Sequence, residues 1–253
     1  VRRVQGRAAG VVTADGQTIR ARAVVANVNP KLLYQRLMRR DVPAQRASGL
    51  RITAAIGHVS HECRTLAPAG LHCITRQWRS SDRRHHPGTS LDYMDRAWHD
   101  ARAFGWSRAP VVELLIPSTL DDTLAPPGQH VASLFCQHVP PQLPDGRQWD
   151  DHRDEVADLM IATVERYAPG FAASVLGRQI LSPLDLERLF GLVGGDIFHG
   201  ALSLNRLFSA RPPLGRAPIA VQCRGCMRGS GTHPGGGVTG APGHNAARVI
   251  FRG

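Results

Sequence analysis

The residues whose types and spacing best fit chemistry lie in a glycine-rich, acid-free run near the C-terminus. It comprises Gly229, Ser230, Gly231, Thr232, His233, Pro234, Gly235, Gly236, Gly237, Val238, Thr239 and Gly240, and continues through Ala241-Pro242-Gly243-His244-Asn245-Ala246-Ala247. Glycine removes side chains from the backbone and admits positive φ, so N–H groups can curl around an anion or a flat ring. From about Val238 the run becomes helix-compatible, which places its last N–H groups at a helix N-terminus, where the dipole favours negative charge. The matching chemistry is the holding of a phosphorylated cofactor. A flexible Gly/Pro linker is the competing reading of the same composition.

Other residues carry chemical types without an equally clear arrangement. His58, His61, Cys63, His72 and Cys73, with His85 and His86 beyond them, are metal-ligand types. Their spacings lack the tight repeated pairs and turns of zinc sites, so no metal is assigned. Cys223-x-x-Cys226 has redox-disulfide spacing, yet no helix signal follows it to lower a thiol pKa. His199, in Gly-Asp-Ile-Phe-His-Gly, and His138, in Cys-Gln-His, suit proton transfer near neutrality and equally suit a hydrogen-bonded structural role. Asp121 and Asp122 are sequence neighbours that do not face each other, and Thr119 to Thr123 reads as a capped turn. The sequence assigns no catalytic residue.

The glycine run resembles, nearly residue for residue, the C-terminal flavin-contacting motif of the phytoene desaturase-like FAD-dependent oxidoreductases. Within them it is most similar to the subgroup named for pyridine nucleotide-disulfide oxidoreductase domain-containing protein 2. The resemblance continues through Ser90-Leu91-Asp92-Tyr93-Met94, Pro117-Ser118-Thr119-Leu120-Asp121-Asp122-Thr123 and Phe135-Cys136-Gln137-His138. It returns at Gly194-Gly195-Asp196-Ile197-Phe198-His199-Gly200 and Leu207-Phe208-Ser209-Ala210-Arg211-Pro212. The resemblance implies FAD as the cofactor, with Gly229 to Gly240 passing the diphosphate and ribityl chain and setting N–H groups near the pyrimidine side of the flavin. It implies hydride removal from a C–C or C–N bond of a small-molecule or lipid-like substrate.

The fold it implies is mixed α/β: a partial FAD/NAD(P)-binding ββα domain with an inserted sheet-plus-helix substrate domain. Residues 1–50 would be the partial FAD-binding domain, 51–212 the substrate domain, and 213–253 the returning flavin-contact segment. The family's Gly-x-Gly-x-x-Gly fingerprint is expected upstream of Val1, which makes this a C-terminal portion. A non-catalytic fragment or interaction module unable to hold FAD alone is the alternative reading. A basic polyanion-binding protein is a more distant one.

Several elements must position these residues. Val11 to Ala26, broken at Asp15-Gly16, predicts a β-hairpin with a type I′ turn. Asn29 and Pro30 predict the N-cap and first position of a helix over Lys31 to Met38. Residues 51–87 show no sustained period. Ser90 predicts a helix N-cap, with Leu91, Met94 and Trp98 on one face and a stop near Gly105. Val111 to Ile116 and Val131 to Cys136 read as buried strands. Asp150 or Asp151 would cap a helix burying Val156, Leu159, Met160, Thr163 and Tyr167, and Ser182-Pro183 would start another through Phe190. Arg224 and Arg228 disfavour a central strand over 220–228.

Composition narrows the partners. The 253 residues carry 31 basic and 20 acidic side chains, a formal charge of +11. The basic groups concentrate in residues 1–90 (sixteen, against four acidic) and 201–253 (seven, against none), whereas residues 91–200 carry eight against sixteen. Neither a basic helix with interleaved aromatics nor a zinc-finger or RNA-recognition signature accompanies them, so no nucleic acid is expected as partner. The acid-free tail suits a diphosphate-bearing cofactor. Five irregularly spaced cysteines do not form a disulfide framework, which leads to an expected cytoplasmic location. No apolar run reaches the ~20 residues of a membrane span. Oligomeric state is not encoded in any motif.

Overall fold

The computed structural model describes residues 2–4, 7–38, 57–66, 90–200, 220–221, 225–227, 231–237 and 239–252. The chain is mixed α/β and divides into two compact units, one made of Val1–Ala55 and Asp196–Gly253, the other of Ile56–Gly195.

The first unit opens with β1 (Arg2–Val4), β2 (Arg7–Val12) and β3 (Thr18–Arg20), an antiparallel three-stranded sheet in that order. The β2–β3 hairpin forms where the sequence places it, but its turn is of another type. Only Gly16 has positive φ (86°), and Asp15 does not. Gly16 N–H bonds back to the Thr13 carbonyl and Thr13 N–H to the Gln17 carbonyl, giving a longer loop closed by one left-handed glycine. Asp15 instead accepts from the Thr13 hydroxyl, which holds its carboxyl below the ordinary value. The chain then leaves this sheet through β4 (Val24–Ala26) and enters α1 (Pro30–Leu32), extended by a π-helical turn over Leu33–Leu37. Asn29 caps as expected, its Oδ1 accepting from Lys31 N–H at 2.8 Å.

The second unit contains β5 (Gly57–Leu66), α2 (Leu91–Phe104), β6 (Val111–Leu115), β7 (His130–Val139), α3 (Trp149–Tyr167), α4 (Phe171–Ser174), β8 (Val175–Leu181) and α5 (Pro183–Phe190). Its sheet runs β6-β7-β5-β8, antiparallel throughout. β5 rises from the stretch without sequence period. It is paired on both edges, so backbone hydrogen bonds define it where side-chain alternation does not.

β7 supplies the core with Ala132, Leu134, Cys136 and Val139. The two-residue alternation slips by one after Cys136 because Val59 pairs with Cys136 but Gly57 with Val139, a bulge that adds a residue to β7. α3 lays Val156, Ala157, Met160 and Val164 against this face, and Phe171 and Trp149 fill its ends. Each large side chain so buried contributes roughly 1.5–3 kcal/mol.

α3 starts earlier than either aspartate. Gln148 is the cap, while Asp150 and Asp151 sit in the first turn. Trp149 explains the difference: its ring is buried and its Nε1–H donates to the Pro140 carbonyl, which brings the cap back from Asp150 or Asp151 to Gln148. In α2 the Ser90 cap and the Gly105 stop stand as expected. The buried face there carries Ala97 and Ala101, while Leu91 is 84% exposed. Small side chains let the helix approach the sheet closely, which the larger apolar residues beside them do not indicate. β6 lies at the sheet edge, leaving Leu115 63% exposed, so it is half-buried and not fully buried. α5 begins at Ser182-Pro183 with a reciprocal capping box between Ser182 and Asp185.

The chain returns to the first unit with β9 (Ala220–Val221), β10 (Gly225–Met227) and α6 (Ala241–Arg252). β10 is the central strand of the sheet β4-β10-β9. The arginines expected to disfavour it flank it, since β10 spans only the three residues between them. No helix among the described residues is long and apolar enough to cross a membrane.

Candidate functional site

β10 runs parallel to β4, with Gly225, Cys226 and Met227 opposite Val24, Val25 and Ala26. Both strands therefore end on the same side. From β4 the chain passes through the Asn29 cap into α1; from β10 it passes through the glycine loop into α6. In open α/β sheets, ligands are held outside the carboxyl ends of parallel strands.

Within the loop, Gly231, Thr232 and Gly235 are buried, whereas Pro234, Gly237, Thr239 and Gly240 are exposed. The glycines fall into two kinds. Gly231 and Gly236 press on protein: a Cβ at Gly231 would lie 2.7 Å from Pro30 Cδ and 3.3 Å from His199 Cβ, and one at Gly236 would lie 2.5 Å from the Phe198 ring. The other kind faces open space. A Cβ at Gly240 or Gly243 would meet nothing within 4 Å, and one at Gly237 only Thr239 Cγ2 at 3.7 Å. Gly235, Gly237 and Gly240 have φ of 112°, 115° and 71°, a region that favours glycine. Gly229, Ser230 and Val238 lie outside the described residues.

α6 begins at Ala241, three residues after the point where the sequence turns helix-compatible. Gly240 keeps a left-handed backbone, and Thr239 Oγ1 accepts the Ala241 N–H at 3.3 Å, so the loop ends in a side-chain cap. The first turn holds no acidic residue; Ala241 N–H is taken by Thr239, Pro242 has no N–H, and Gly243 N–H has no intrahelical acceptor. Positive-φ glycines facing open space, Gly237 and Gly240, thus stand next to a helix N-terminus whose Gly243 also faces open space. These features fit a phosphorylated or anionic planar group, which needs donors and close backbone approach and no side chain in the way.

A turn centred on Asp196, a residue to which the sequence alone gives no role, supports the loop. Asp196 is 2% exposed; its Oδ1 accepts from Phe198 N–H at 2.9 Å and its Oδ2 from Gly200 N–H at 2.7 Å. An aspartate followed by Gly four residues later was the available signal. His199 belongs to this turn, with φ of 56°, and lies beside Gly231.

His138 belongs to the other unit. It is half-buried in β7, its ring edge-on to Trp98 at 5.1 Å between centroids, and burial pushes its pKa below the ordinary value. Asp121 is committed to a turn, as expected, accepting from the backbone and hydroxyl of Thr123. Burial pushes the Cys136 thiol up to about 12, which makes it an unreactive core group. Of the redox-spaced pair, Cys226 lies in β10 and Cys223 lies outside the described residues, as do His72, Cys73, His85 and His86. His58, His61 and Cys63 lie along β5. Among the described residues no three His, Cys, Asp or Glu side chains gather into a metal-binding group.

No protein-family profile matches the chain. A protein of Castellaniella defragrans named as a subunit of limonene dehydrogenase is 28% identical over 138 residues, covering 52% of this chain and 25% of that protein. The rat and mouse proteins named pyridine nucleotide-disulfide oxidoreductase domain-containing protein 2 are each 39% identical, over 259 and 266 residues, and the chain spans 44% of their length. Over 98% of its own residues, therefore, this mixed α/β chain is homologous to pyridine nucleotide-disulfide oxidoreductase domain-containing protein 2.

Proposed function

We propose that the chain is part of an FAD-dependent oxidoreductase of the phytoene desaturase-like type, and that the segment from Gly229 to Gly240, with the start of α6, contacts the flavin. The observation that carries this reading is the coincidence, at the carboxyl end of parallel β4 and β10, of positive-φ glycines facing open space with a helix N-terminus free of acid. Bound FAD would supply the redox chemistry, accepting a hydride from a C–C or C–N bond of the substrate. The chain's own part is binding and electrostatics. The backbone N–H groups of Gly237, Gly240 and Gly243 hold negative charge, and Gly237 and Gly240 let the cofactor approach the main chain.

The substrate is a small molecule or a lipid-like one. The name of the Castellaniella relative, a subunit of limonene dehydrogenase, supports a small-molecule substrate. His199, beside Gly231, and His138 are the acid–base candidates. The setting is cytoplasmic.

The test is incubation of the 253-residue chain with excess FAD, followed by gel filtration and a visible spectrum. Flavin absorption co-eluting with the protein is the expected result. A folded but colourless protein would sink the proposal for this chain and leave the non-catalytic interaction module as its reading.

A further inference from the structure

We infer that Asp196 is a positioning residue for the glycine loop, acting through the turn it closes and not by touching a ligand. A carboxylate that is 2% exposed must be repaid in hydrogen bonds, and here both oxygens are used on one turn, at Phe198 N–H and Gly200 N–H. The backbone carbonyl of Asp196 accepts a third N–H, from His199 at 3.2 Å.

These bonds hold an unfavourable conformation. His199 has φ of 56° and Gly200 of 135°, and a non-glycine residue in the left-handed region persists only where its surroundings impose it. The turn so fixed delivers two side chains to the loop. The Phe198 ring occupies the space a Cβ of Gly236 would need, and His199 Cβ borders the position of a Gly231 Cβ. Gly236 therefore presses on this turn, Gly231 presses on Pro30 and borders His199, and Gly237, which faces open space, follows directly after Gly236. Asp196 sets Phe198, Phe198 sets Gly236, and Gly236 sets the direction in which Gly237 and Gly240 present their backbone.

The loop-positioning part stands on geometry alone; its effect on FAD rests on the flavin reading of the loop. Two measurements on the full 253-residue chain separate them. The first is amide hydrogen exchange over residues 231–237, without ligand, in the wild type, Asp196→Ala, Asp196→Asn, Gly236→Ala, Phe198→Ala and the double variant Gly236→Ala/Phe198→Ala. Exchange there should rise at least tenfold in Asp196→Ala and less in Asp196→Asn, which keeps one acceptor, while β7 in the other unit keeps its protection. Gly236→Ala and Phe198→Ala should each loosen the loop, and the double variant should exchange no faster than Phe198→Ala alone, because the added methyl then meets no ring.

Unchanged exchange in Asp196→Ala or in Phe198→Ala, or a double variant in which the two single effects simply add, overturns the inference whatever FAD does. The second measurement is FAD affinity and the spectrum of bound flavin. A tenfold or greater loss of affinity in Asp196→Ala, partly recovered in Asp196→Asn, is expected. Loosened exchange in Asp196→Ala, when the wild type itself binds no FAD, would sustain the positioning role and count against the flavin reading alone.

Discussion

Gly243 separates what the fold requires from what a ligand requires. It sits in the first turn of α6, its φ lies outside the left-handed region, and a Cβ there would meet nothing within 4 Å. Within the protein, alanine is then the better residue. Gly→Ala in a helix is worth about 0.5–1 kcal/mol through backbone entropy. For a chain of this size that corresponds to a rise in Tm of roughly 1–4 °C. If the flavin lies against this backbone, the same open space is where it sits, and a larger side chain must displace it. Gly243→Leu should therefore fold at least as well as the wild type yet bind FAD at least about tenfold more weakly, a loss of about 1.4 kcal/mol. Thermal unfolding without ligand and FAD titration by flavin fluorescence read the two arms. Wild-type affinity in Gly243→Leu would refute the placement of the cofactor at α6, and a lowered Tm in Gly243→Ala would refute the open first turn itself.

Two further outcomes follow from the second unit. Ser182→Ala removes the buried hydroxyl that accepts from Asp185 N–H at 3.2 Å and donates to Asp185 Oδ2 at 2.7 Å, and urea unfolding should show a loss of about 1–2 kcal/mol. His138, with its pKa lowered by burial, binds its proton more readily in the unfolded chain, so stability is present above about pH 6.5 and falls as pH drops through that value toward the folded pKa. His138→Gln should flatten the stability profile below about pH 6.5, and an unchanged slope would show that the ring is not desolvated.

Features encoded in neighbouring residues were legible in the sequence. Asn29-Pro30, Ser90 with Gly105, and Ser182-Pro183 mark helix ends because a cap is a contact over two to four residues, and all three stand in the structure. What depends on distant pairing was not. β5 is defined by β7 and β8 on either side, and no period within residues 51–87 reports that. The start of α3 moved because Trp149 is buried against a core built by β7, a contact that the aspartates beside it do not reveal. The same holds at the candidate site. Composition singles out the glycine loop, but the turn at Asp196 meets Gly236 across some forty residues of chain, and the motif containing Phe198 shows no sign of its partner.

That distinction bears on what the loop says about function. Gly231 and Gly236 are required by Pro30, His199 and Phe198, so they would be glycine with or without a cofactor. Gly235, Gly237 and Gly240 are accounted for by positive φ, a demand of the loop's path. Gly243 has neither a contact nor a dihedral that calls for glycine, in an element where glycine is disfavoured relative to alanine. The one glycine of the described loop and helix that no internal force explains is thus the one at the helix N-terminus, facing open space in a segment without acid. Its identity argues for an occupant outside the chain, and a negatively charged, closely approaching one is the kind that this backbone can hold.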